Sequence, residues 1–289
     1  MIRAAIFDID GVILGHKPGV TFPIPSPSVR ERLQILAMNI PVSLCTVKVF
    51  FAVKPIIEAC HIENAPHIVD AGATIASANT FELQATAIST PHAQQLLGEL
   101  NKKGIYSEWY TTLGQYTFTS GDTRIRESRT VLFGKEATLL TEPTEEDIVK
   151  IIVFPMTEEQ KHALREIEMK YQKYATLKWG INPSKIPYEN AFFTHPLATK
   201  YHGAQKIAAL TGIPLAETLG VGDSTNDWSF MQQCGYVATL SNANEALKEL
   251  VSSRQGFVSD QSVEDDGILT ILDHFAPELP QLVSPTHTS

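Results

Sequence analysis

Two carboxylates spaced two residues apart, Asp8 and Asp10, follow the apolar run Ala4–Phe7 and precede Gly11. The run reads as a short buried strand. In extended backbone, residues i and i+2 point to the same side, so both side chains converge just past the strand's C-terminal end. Open α/β sheets place their ligands there. Adjacent anions repel unless a cation lies between them or one takes up a proton. A hard divalent ion with oxygen ligands, of the magnesium kind, suits such a pair. The plainer reading is a solvated turn that caps the strand. A second acidic cluster favours the metal: the apolar residues 219–221 run into Gly222-Asp223-Ser224-Thr225-Asn226-Asp227. Asp223 adds a third carboxylate at a strand end and Asp227 a fourth one turn on. Residues 228–234 read as a helix, capped by Ser224 or a neighbour.

Two further positions fall between these clusters. Thr46 follows the apolar segment 41–45, and Lys200 opens the helical pattern 200–210, which Gly212 stops. A lysine at a helix N-terminus opposes the dipole, so it needs a nearby anion. Together the four pieces resemble the haloacid dehalogenase superfamily of phosphohydrolases. Order, spacing and a long insert look most like its Cof-type branch (subfamily IIB, C2-type cap). The family pattern is a DxDG-type first motif, a Thr or Ser second, a Lys third and a GDxxND fourth; here these are residues 8–11, Thr46, Lys200 and residues 222–227. The resemblance spans roughly 1–85 and 195–289 and is topological in between.

The resemblance implies a magnesium-dependent phosphomonoesterase acting on small phosphorylated metabolites. Asp8 would be the nucleophile and Asp10 the acid–base residue. Thr46, Lys200 and Asn226 would serve the phosphate; Asp8, the Asp10 main-chain carbonyl and Asp223 would hold the metal, with Asp227 ordering the shell behind it. Family members usually read Thr-Gly-Arg where this chain has Thr46-Val47-Lys48, and Asn-Gly-Ala where it has Asp70-Ala71-Gly72-Ala73. Val47 loses the glycine's room for backbone approach, and Lys48 lacks a guanidinium fork. Two other readings stay open: a phosphotransferase of the phosphomannomutase kind, and a catalytically silent ligand-binding protein of the same fold.

The elements that must position these residues follow from periodicity. The expected class is α/β, a Rossmann-like doubly wound parallel sheet (residues 1–85 and 195–289) with an inserted α+β cap at 86–194. In the first part, 28–39 and 50–60 read as helices, 40–45 and 67–70 as strands. Residues 14–27, rich in Pro and Gly, read as a loop containing His16. In the insert, helices are expected at 91–103 and 157–171, a hairpin at 105–119, and strands at 149–154, 174–180 and 192–194, a sheet with helices on one face. Residues 120–147 show no clear period. The aromatics Trp109, Tyr110 and Tyr116 and the cations Arg124, Arg126 and Arg129 are candidate substrate contacts, each more simply core or surface. Beyond the third motif, 235–240 and 256–258 read as strands, 243–251 as a helix capped by Asn242, and 277–289 as a loose tail.

The chain has 289 residues, 43% hydrophobic and 19% charged, with a formal net charge of −9. That balance argues against a nucleic-acid partner, though not against an anionic substrate, because a metal and local cations set the field within a site. Cys45, Cys60 and Cys234 lack metal-ligand spacing. No apolar stretch approaches the ~20 residues that span a bilayer, and no signal peptide is evident. A cytoplasmic monomer or homodimer is expected, with no membrane partner.

Overall fold

The computed structural model describes residues 1–15, 23–77, 83–180 and 189–280. His16 and most of its loop lie outside the described residues, as does 281–289 of the expected tail. The chain begins with β1 (Ala4–Phe7), α1 (Pro27–Ala37), β2 (Val42–Leu44), α2 (Phe50–Cys60), β3 (Pro66–Val69), β4 (Thr74–Ser77) and β5 (Leu83–Ala85). It continues through α3 (Thr90–Lys102), β6 (Tyr106–Thr111), β7 (Gln115–Phe118), α4 (Thr123–Phe133), β8 (Thr138–Leu140), β9 (Ile148–Phe154), α5 (Glu158–Tyr171), β10 (Thr176–Gly180) and β11 (Asn190–Thr194). It closes with α6 (Lys200–Thr211), β12 (Thr218–Val221), α7 (Thr225–Met231), β13 (Tyr236–Thr239), α8 (Glu245–Ser253), β14 (Phe257–Val258) and α9 (Ile268–His274). These form two compact units, Met1–Gln84 with Thr199–Ser289, and Ala85–Ala198. No helix among the described residues is long and apolar enough to cross a membrane.

The first unit is a doubly wound α/β fold. Its main sheet has the order β14-β13-β12-β1-β2, and every pairing is parallel. All four residues of β1 are buried, as a strand with helices over both faces requires. Alternate residues serve different layers. Ala5 and Phe7 join the cluster built with α1, α2 and α9, whereas Ile6 joins Ile207, Phe230 and Leu247 of α6, α7 and α8. From β1 the chain steps outward to β2 on one side. It later returns to β12 on the other side and proceeds to β13 and β14. The topological switch point therefore lies between the C-terminal ends of β1 and β12, where such sheets bind ligands.

Local signals explain the boundaries. Ser26 caps α1 by accepting from the Val29 N–H, and Pro27 takes the first turn, where a missing N–H costs nothing. Gly212 ends α6 in a left-handed conformation. Three expectations change. The helix after the fourth motif starts at Thr225 rather than 228, because Ser224 and Asp227 form a capping box. Asn244, not Asn242, caps α8. The segment before residue 281 is packed: Leu279 joins the core and the Glu278 carbonyl accepts from Ile2.

The second unit is a six-stranded sheet in the order β10-β11-β9-β6-β7-β8, antiparallel except for β7–β8. One face carries Trp109, Phe118, Ile151, Val153 and Phe193 against Leu96, Leu97, Leu100, Leu164 and Ile167 of α3 and α5. The expectation of helices on one face only is corrected by α4. Ile125 of α4 packs with Tyr106 and Phe154, which alternation along the strands turns to the opposite face. Asp122 caps α4 by accepting from the Arg124 and Ile125 N–H groups.

Candidate active site

Asp8 directly follows β1, and its N–H donates to the Val221 carbonyl of β12 at 2.9 Å. Asp223 lies two residues beyond β12 on the adjacent strand end. The two carboxylates thus meet at the switch point. Gly11 lets them do so: its φ is +76°, and a Cβ there would stand 2.1 Å from Asp223 Oδ2. No side chain fits. Asn242 fixes the same turn, donating through Nδ2 to the Gly11 carbonyl at 2.9 Å while its Oδ1 accepts from Val263 N at 2.7 Å.

Lys200 opens α6 behind the cap Thr199, and it has the anions its position demands. Its Nζ donates to Asp8 Oδ1 at 2.9 Å and to Asp227 Oδ1 at 2.5 Å. Burial opposes the ammonium's charge, yet Asp8 and Asp227 outweigh it and raise the Lys200 pKa well above the lysine range. Asp227 is fully buried, and its second oxygen accepts from Asp223 N, Ser224 N and Ser224 Oγ. This carboxylate therefore fixes both the lysine and the loop that carries Asp223.

Asp8, Asp223 and Asp227 each bring one oxygen within 4.8 Å of the others. Since Asp227 is committed at both oxygens, Asp8 and Asp223 are the ones able to meet an ion. Three carboxylates around one ammonium leave the charge that one divalent cation neutralises. That surplus registers in the acids themselves. Burial, then the Asp227 charge, push Asp8 up to about 7 against the pull of Lys200. Burial and Asp227 likewise push Asp223 up to about 6. An all-oxygen donor set with this charge fits a small hard cation such as magnesium.

Asp10 is not in that group of three. Its carboxylate turns to Lys48, whose Nζ lies 2.8 Å from Oδ1 and 2.6 Å from Oδ2. This contact was not visible in the sequence, where Lys48 figured as the loss of an arginine. Thr46 is buried, and its Oγ1 accepts from Lys48 N at 3.2 Å. The Thr46 and Lys48 carbonyls accept from Ala71 N and Asp70 N, so the left-handed turn at 70–72 braces this loop. Asn226, by contrast, is exposed on the first turn of α7. Its side chain makes no hydrogen bond among the described residues, so it is not drawn into the cluster.

Three of the six candidate contacts in the second unit are buried within it. Trp109 is core. Arg129 and Tyr110 are buried and bonded to the fully buried Glu108 at 3.0 and 2.7 Å. Tyr116 donates to Glu146, and Arg124 pairs with Asp122. All three cysteines are buried and free.

A family model of haloacid dehalogenase-like hydrolases matches residues 5–272. A haloacid dehalogenase-like hydrolase from Bacteroides thetaiotaomicron superposes with a TM-score of 0.75 at 15% identity, covering 95% of this chain and 100% of that one. A subclass IIB sugar phosphatase of the same superfamily superposes at 0.70 with 19% identity, covering 95% and 99%. A phosphoglycolate phosphatase from Sulfolobus acidocaldarius is 26% identical over 77 residues, 26% of this chain and only 34% of that enzyme. With the family match extending over nearly the whole sequence, the chain belongs to the haloacid dehalogenase-like hydrolases and is an enzyme of that family.

Proposed function

We propose that this enzyme is a divalent-cation-dependent phosphomonoesterase for small phosphorylated metabolites, working through an aspartyl-phosphate. The observation that carries the reading is the Lys200 ammonium shared between Asp8 and Asp227 beside Asp223 at the switch point. A binding protein has no need of a buried carboxylate aimed by an ammonium. An Asp8 oxygen attacks phosphorus and the bond from phosphorus to the ester oxygen breaks. Asp10 gives that oxygen its proton, so an alcohol leaves. Water then attacks phosphorus, passes a proton back to Asp10, and releases phosphate and Asp8. Lys200 and the Thr46 hydroxyl hold phosphoryl oxygens, and Asp227 keeps Lys200 in place. Magnesium, held by Asp8, Asp223 and the Asp10 main-chain carbonyl, would neutralise phosphoryl charge and orient the group. Electrostatic grip on the in-line phosphoryl group supplies most of the rate.

The test is turnover of p-nitrophenyl phosphate, a sugar phosphate and 2-phosphoglycolate, the last two matching the sugar phosphatase and the phosphoglycolate phosphatase that the chain resembles. Wild type should release phosphate with magnesium and stop in excess chelator. Asp8→Asn should lose at least about 10³-fold while still unfolding in one cooperative transition. Full activity in that variant, or in chelator, would overturn the reading.

A further inference from the structure

The Lys48–Asp10 pair carries an inference about the leaving group. It rests on the reading of Asp10 as the residue that serves the ester oxygen. Among the described residues, Lys48 is the lysine joined to the site at a solvent-open position: its side chain is 30% exposed and that of Asp10 is 54%, whereas Lys200 is 9% exposed. The two ammonium groups therefore face different parts of a bound ester. Lys200 is sunk beside the nucleophile, where the phosphoryl group must come. Lys48 stands on the side of Asp10, where the alcohol departs.

Distances make this specific. An ester oxygen in hydrogen-bond contact with Asp10 lies no more than about 6 Å from the Lys48 ammonium, because each link is an ordinary hydrogen bond. Lys48 directs its ammonium at both Asp10 oxygens, and an ester oxygen that hydrogen-bonds Asp10 competes with it for one of them. The freed N–H of the ammonium then needs another acceptor, and an anionic oxygen beside the ester is the strongest available. The base of the side chain is fixed, since Lys48 N donates to Thr46 Oγ1 and its carbonyl accepts from Asp70 N at 2.8 Å. The ammonium is thus held near the leaving group rather than free to sweep the surface.

We propose that Lys48 is a specificity residue that recognises a carboxylate on the carbon bearing the ester oxygen, making phosphorylated 2-hydroxy acids the preferred substrate class. A carboxylate so placed is separated from the ester oxygen by two bonds through one carbon, within the reach set by Asp10. A neutral sugar or polyol phosphate leaves the freed N–H to water.

The test uses two esters that differ only in the group in question, 2-phosphoglycerate and glycerol 2-phosphate. Wild-type enzyme with magnesium should prefer 2-phosphoglycerate in kcat/KM by about 10- to 100-fold, the worth of one charge-assisted hydrogen bond. In Lys48→Met the ratio should fall to near one, whatever the effect on the shared chemistry. Lys48→Arg should restore most of it, and 3-phosphoglycerate, whose carboxylate is one carbon farther from the ester, should show less preference. A wild-type ratio near one would overturn the proposal. So would a ratio that survives in Lys48→Met while both esters slow in parallel, because Lys48 would then act only by positioning Asp10. If no ester is hydrolysed at all, the phosphomonoesterase reading falls and this proposal with it; turnover without a Lys48-dependent ratio removes this proposal alone.

Discussion

Asp227 has no solvent exposure and no uncommitted oxygen: one side takes the Lys200 ammonium and the other closes the loop of Asp223 and Ser224. Removing its charge while keeping its shape leaves a buried lysine supported by Asp8 alone. We expect Asp227→Asn to lower unfolding free energy by about 3 kcal/mol, the scale for breaking a buried pair at one partner. Urea denaturation at neutral pH measures it; a loss below about 1 kcal/mol would show that the pair does not support the native state. Asp8, Asp223, Asp227 and Lys200, which the structure brings together, were legible in the sequence because each lies just past a strand end or in the first turn of a helix. Their residue types are ones that chemistry, rather than packing, demands at such places. The Lys48–Asp10 contact was not legible, since it depends on how the loop after β2 turns against the loop after β1. Asn226 is the opposite case: a motif position whose side chain is exposed and outside the cluster.

Among the elements, His67 joins β3 to β2 in a way that responds to pH. Its Nδ1 accepts from Leu44 N at 3.1 Å and its Nε2 donates to the Ile62 carbonyl at 3.1 Å, so the neutral ring fills both roles. Burial holds its pKa down to about 4, against 6.5 for the free side chain. The unfolded chain therefore takes up a proton between those values while the native chain does not, and stability falls as pH drops through this window. From pH 7 to pH 5 the loss should be about 2 kcal/mol. His67→Gln should lose that much less over the same interval in matched urea titrations; equal slopes would rule out this residue as the cause. In the second unit, α4 is docked by a buried ion pair as well as by Ile125. Arg129 meets the fully buried Glu108 and stacks on Phe133 at 4.2 Å. Arg129→Met should destabilise by about 3 kcal/mol, and adding Glu108→Gln should recover part of it. No recovery in the double variant would place the loss in packing instead. This docking helps explain why residues 120–147 could not be placed from periodicity: an arginine that shares the docking with Ile125 adds nothing to an apolar 3.6-residue signal. The long regular elements α5 and α6 were legible because each has buried apolar positions at helical spacing together with caps or a stop signal.

At the scale of the whole molecule, the division of labour is open to a direct experiment. All four motifs belong to the unit formed by Met1–Gln84 and Thr199–Ser289, and each unit has clusters of buried apolar residues of its own. Joining Gln84 to Thr199 with a short flexible linker should therefore give a protein that unfolds cooperatively. It should still hydrolyse p-nitrophenyl phosphate, whose leaving group needs little protonation. We expect the inserted unit to carry the discrimination among neutral sugar phosphates, because the motifs outside it specify a phosphoryl group and not what is attached. Lys48 separates the two sources of selectivity, since it belongs to the retained unit. The ranking of a panel of hexose and pentose phosphates should flatten in the excised protein, while the preference for 2-phosphoglycerate over glycerol 2-phosphate should persist. A folded excised protein that ranks the sugar phosphates as the full chain does would place that selectivity in the motif-bearing unit. Loss of the carboxylate preference along with the sugar ranking would show that Lys48 does not act from its own unit alone.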